Sequence, residues 1–142
     1  MVKIIDGDGL IVGRVATYVA HTALSGEEVH ILNAEKMVMS GDRNYIVQKY
    51  VDRRSVKDRA NPEHSPKWPK RPDLLVKRII RGMLPYDKPK GKMAYKKIRV
   101  YIGSEDNLKG EKVKFNDSFR KDKLDKYITI MELCEALAYK TR

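Results

Sequence analysis

Between Lys67 and Arg99 the chain places twelve lysines and arginines against two acids, Asp73 and Asp87. That run holds a net +10, and the whole chain of 142 residues carries +11. The charge is therefore concentrated, and the segments on either side are close to neutral. Arginine offers a phosphate two parallel donors in one plane, and lysine a mobile point charge. A dense basic block beside a near-neutral body is the electrostatic footprint of nucleic-acid binding. Trp68, Tyr86, Tyr95 and Tyr101 lie among the cations, and such rings can stack on unpaired bases. About half of them are expected in the core instead, Tyr101 first. Gly82 and Gly91, with prolines around them, would let the backbone approach a phosphate chain closely.

No helix-turn-helix, zinc-finger or zipper pattern suggests reading of a DNA groove, so folded RNA fits better than DNA. On charge and aromatic character the candidate contacts begin with Arg53 and Arg54. They continue through Lys67, Trp68 and Lys70 and end with Lys96 and Lys97.

Other chemistries find little support. Gly7, Gly9 and Gly13 follow a strand and precede a helix, but at a spacing one residue longer than the dinucleotide fingerprint. A plain tight turn explains them, so neither a cofactor nor a small-molecule substrate is expected. His21, His30 and His64 are scattered and Cys134 is the only cysteine, which leaves no metal-ligand spacing and no internal disulfide. Ser25, Ser40 and Ser65 lack the strained turn of a hydrolase nucleophile. The lone cysteine and the absence of a signal-like N-terminus suit a reducing, intracellular compartment. No apolar run is long enough to span a membrane.

The basic residues need a scaffold, and the central one is a helix. At about 100° per residue, Leu75, Val76, Ile79, Ile80, Met83 and Leu84 share one side. Lys77, Arg78 and Arg81 share the other, and only Leu74 falls on the wrong face. Pro72 suits a first helical position, Asp73 complements the positive helix start, and Pro85 stops it. One basic helix could be an ordinary solvated face. The flanking Lys70, Arg71, Lys88, Lys90 and Lys92, with few acids, favour a binding face.

Around it, strands are expected at 2–5, 28–33, 37–39 and 99–102. Helices are expected at about 12–24, 44–54, 92–96 and after Thr129, where Thr129 and Glu132 have capping-box spacing. Residues 55–72, rich in proline, form a long loop, and the highly charged residues 104–126 a surface excursion. The early strand–helix–strand order predicts an α/β fold with a small, mostly parallel sheet. One domain is expected over 1–142, with a basic segment at about 53–99 and a C-terminal extension at about 104–142.

Arg71-Pro72-Asp73, Lys77-Arg78 and the run Ile80-Arg81-Gly82-Met83-Leu84-Pro85 resemble the signature of the L-thirteen family of large-subunit ribosomal proteins. Gly13-Arg14-Val15-Ala16, Asn33-Ala34-Glu35-Lys36, Ser40-Gly41, Gly91-Lys92 and Val100-Tyr101-Ile102-Gly103 follow in matching order. The 43–60 segment and the capped last helix are more similar to the archaeal and eukaryotic branch. The resemblance implies a three-layer α/β/α fold with a four-stranded sheet and a non-enzymatic role. It also implies binding of large-subunit ribosomal RNA, neighbouring ribosomal proteins as partners, and a place in the cytoplasmic ribosome. By position, Arg71, Lys77, Arg78, Arg81, Lys88, Lys90 and Lys92 would then touch RNA.

Overall fold

The first strand, β1 (Val2–Asp6), is followed by a turn and then by helix α1 (Val12–Leu24). Val12, Val15, Ala16, Val19, Ala20 and Ala23 are buried at the one-turn spacing expected of an amphipathic helix. Strand β2 (Glu28–Leu32) returns parallel to β1, with Ile4 opposite His30 and Ile5 opposite Ile31. These coordinates are a computed structural model that describes residues 1–140. Positions 141 and 142, the end of the expected extension, lie outside the described residues.

β4 (Ile98–Val100) and β5 (Glu111–Lys112) complete a sheet of order β4-β2-β1-β5, in which every pairing is parallel. Successive side chains point to opposite faces. Ile5, Val29, Ile31 and Ile98 fill one face, while Ile4 and His30 are buried on the other. Burial on both faces is the environment that keeps parallel strands dry. The α/β class and the small parallel four-stranded sheet are as expected.

Two expectations are corrected. Strand β3 (Val38–Ser40) leaves the main sheet and pairs antiparallel with β6 (Tyr127–Thr129). The 104–126 stretch is mostly exposed, but it is not only an excursion. It supplies edge strand β5, and the carbonyl of Phe119 accepts from the Ile11 amide at 2.8 Å. Such short pieces carry no periodicity of their own; their partners define them.

The remaining helices are α2 (Arg43–Ser55), α3 (Pro72–Arg81), α4 (Pro89–Lys96) and α5 (Ile130–Ala136). On α2 the side turned inward is Ile46 and Tyr50, while Tyr45 and Val51 are exposed. α5 carries the capping box, with Thr129 Oγ1 accepting from the Glu132 amide at 3.2 Å. Glu132 Oε2 accepts in return from the Thr129 amide at 3.3 Å. Ile130, Leu133, Cys134 and Leu137 then pack into the same core as Ile5 and Leu75. Thr129→Ala should cost about 1 kcal/mol, read as a small fall in the midpoint of thermal or urea unfolding.

Candidate nucleic-acid interface

α3 turns Leu75, Val76 and Ile80 inward, which leaves Lys77, Arg78 and Arg81 half-buried along its outer side and Leu74 exposed. Met83 departs from the expected packing. The helix ends at Arg81, so the helical projection no longer applies, and Met83 is 42% exposed beside Thr17. Leu84 is buried all the same.

At the start of α3 the Asp73 side chain is 12% exposed. It accepts from the Leu74 amide at 2.8 Å and pairs with the Arg71 guanidinium at 2.9 Å. Among the described residues the only other ion pair joins Lys3 to Glu27. Among these residues Arg71 is thus the one cation of the 67–99 block paired with an acid, and the other eleven have no ion-pair partner.

Aromatic rings organise the strongest of these charges. The long loop brings Trp68 edge-on to Tyr50 of α2, with ring centroids 5.7 Å apart, and Arg54 donates to the Trp68 carbonyl. The guanidinia of Arg53 and Arg78 lie over the indole at 4.6 and 4.7 Å. Arg81 lies over Tyr86 at 4.1 Å, Lys77 over Tyr95 at 4.8 Å, and the two tyrosines meet edge to face. Burial, helped by the nearby Arg99 charge, lowers the Lys77 pKa from its ordinary value. Tyr101 packs instead against His30.

The expected contacts therefore fall into groups. Arg53, Arg54, Trp68 and Arg78 form one cluster across α2, the loop and α3, and Lys77 and Arg81 form a second with Tyr95 and Tyr86; together they make up the cationic array. Lys67, Lys88, Lys90, Lys92 and Lys96 are exposed around it, and Lys70 is half-buried. Lys97 turns away and donates to the Gly26 carbonyl at 2.8 Å. Gly91 is buried, not presented to a ligand, because α4 crosses Pro85 so closely that only hydrogen fits there. The expectation that Gly91 opens the backbone to phosphate is corrected on that ground.

The other candidates resolve into structure. A Cβ on Gly7 would meet the Leu32 carbonyl and Met37 at 2.8 Å, and Gly9 takes φ +70° in the turn. The Lys121 amide donates to the Gly9 carbonyl at 3.0 Å, and Arg14 donates to the Ser118 carbonyl. Residues 118–121 thus cover the ground a dinucleotide would need. No three His, Cys, Asp or Glu among the described residues converge as a metal site. His30 is buried, and desolvation lowers its pKa. Burial pushes the Cys134 thiol up to about 12, which suits an inert core residue. No helix among the described residues is long and apolar enough to cross a membrane.

Comparison with known proteins gives the family. The family described as Ribosomal protein L13 matches residues 1–107. The large ribosomal subunit protein uL13 of Methanococcus maripaludis is 44% identical over 138 residues, covering 96% of this chain and 98% of its own length. The Methanocaldococcus jannaschii protein of the same name is also 44% identical, with the same coverage. That of Archaeoglobus fulgidus is 34% identical over 96% of this chain and 88% of its own length. The chain belongs to the ribosomal protein L13 family, as a structural ribosomal constituent of archaeal type and not an enzyme.

Proposed function

We propose that this chain binds large-subunit ribosomal RNA through the face formed by α2, the 56–71 loop, α3 and α4, and so helps to assemble and hold the large subunit. The observation that carries this reading is the set of eleven cations in the 67–99 block with no ion-pair partner among the described residues. An isolated fold would gain from pairing them; their neutralisation is left to a polyanion. Lys77, Arg78 and Arg81 form the centre of the face, with Arg53, Arg54, Lys67, Trp68 and Lys70 on one flank. Lys88, Lys90, Lys92 and Lys96 form the other flank, Arg71 lies at its rim, and Lys97 contributes long-range charge. The near-neutral remainder, including the C-terminal extension, is the surface left for neighbouring large-subunit proteins. The setting is the cytoplasmic ribosome.

RNA affinity on this reading falls steeply with salt, since every phosphate neutralised releases a counterion. Arg78→Glu with Arg81→Glu should abolish incorporation while leaving the fold intact, because neither side chain fills the core. The measurement is sedimentation of cell lysate together with a melting curve of the purified variant. Co-sedimentation of the folded double variant with the large subunit at wild-type level would remove this face from consideration.

A further inference from the structure

Resting on the RNA reading above, we infer that Trp68, Tyr86 and Tyr95 are positioning residues that seat the cations. The face then takes the phosphate backbone of base-paired RNA and not unpaired bases. Three half-buried rings hold four cations at 4.1–4.8 Å: two guanidinia on Trp68, Arg81 on Tyr86 and Lys77 on Tyr95. Each of these rings also meets another aromatic edge to face, Trp68 with Tyr50, and Tyr86 with Tyr95.

A guanidinium is planar, and its five N–H groups lie in that plane. Stacking on a ring therefore uses the face of the group and leaves its donor edge for oxygen atoms of a phosphate. A base stacking on Trp68 would have to displace Arg53 or Arg78, the groups its own phosphates need. The rings also fix long side chains before binding, which removes part of the ordering cost of association.

Charge spacing points the same way. The Arg53 and Arg78 guanidinium carbons are no more than about 9 Å apart, given their distances from the shared ring. Among the described residues no acid is paired with either. Two like charges held that close by a ring form a seat for anions, and a duplex presents a dense, regular row of them on each strand. Tyr45, 68% exposed on α2, is the large aromatic that a base-stacking surface would have used; it lies outside the array.

Trp68 is the only tryptophan, so its emission reports on its own surroundings. The test titrates the full chain with a hairpin RNA and with an oligouridylate of equal phosphate number, each end-labelled for anisotropy, across a salt series. The expected result is preference for the hairpin with Trp68 emission largely retained at saturation. Trp68→Phe should bind the hairpin nearly as wild type, and Trp68→Ala about tenfold more weakly, since the seat is lost while every charge remains. Strong quenching with preference for the oligouridylate would show a base on the indole and overturn the inference. So would wild-type hairpin affinity in a folded Trp68→Ala chain. Absence of salt-dependent anisotropy with either RNA would instead sink the RNA reading itself. The emission measurement uses the unmodified chain and does not depend on any variant folding.

Discussion

Gly91→Ala should destabilise the fold by about 3 kcal/mol or more, although it adds one methyl group. The added Cβ would stand 2.0 Å from the Pro85 carbonyl oxygen and 2.4 Å from its carbon. Both are backbone atoms, so no rotamer change relieves the overlap. α4 must shift away from the turn after α3, carrying Tyr95 from beneath Lys77. Gly82→Ala is the matched control. There φ is −63°, already helical, and the nearest atom is the Ile79 carbonyl oxygen at 3.4 Å. Alanine at 82 should be neutral, or stabilising by about 0.5 kcal/mol through the unfolded chain. Urea unfolding of the two variants side by side checks both. Equal midpoints would mean that α4 does not press on Pro85 as described.

Ile80→Ala tests the other side of the same helix. Ile80 is fully buried, in one core cluster with Leu75, Val76 and Ile98, one position from Arg81 and two from Arg78. Deleting its side chain leaves a cavity in a close-packed core and should cost about 2–5 kcal/mol. For a domain of this size that is a fall in Tm of roughly 10 °C. No charge is lost, so the salt dependence of RNA binding by the folded protein should match wild type. Arg78→Glu with Arg81→Glu should give the reverse: an almost unchanged Tm and lost binding. The pair separates what holds the helix from what the helix presents. A Tm drop below about 3 °C for Ile80→Ala would mean that the core beneath α3 is loosely packed.

The sequence was readable wherever one local rule was enough. Helix α1 has the bounds its apolar spacing predicts, α3 starts at Pro72, and α5 is capped by Thr129 and Glu132. The single misplaced residue of the α3 pattern, Leu74, is indeed exposed. What the residues did not reveal depends on partners distant in the chain. Glu111–Lys112 is a strand only because β1 offers an edge, and Met83 leaves the core because the helix ends two residues earlier. The charge block was visible as a block, but its internal order was not. Arg71 has its acid partner two residues away in Asp73, but nothing in the sequence around Arg78 shows that it lies over an indole. Lys97 is indistinguishable from Lys96 in sequence, and it caps a carbonyl of the α1–β2 turn.

The late strands bear on how the chain is made. β1 is flanked by β2, which follows soon after it, and by β5, which comes only beyond residue 110. β3 likewise waits for β6, and the core waits for Ile128, Ile130 and Leu133. Pairings between distant segments are slow to form, because the loop must close before the contacts reward it. A nascent chain that has released residues 1–103 can assemble β4-β2-β1 and the cationic face while one sheet edge stays bare. Such an edge is a site for unwanted pairing with other chains. During synthesis the cationic face can thus form ahead of the closure that protects the sheet, and on the proposed reading an early encounter with RNA would shelter a chain whose fold is still open.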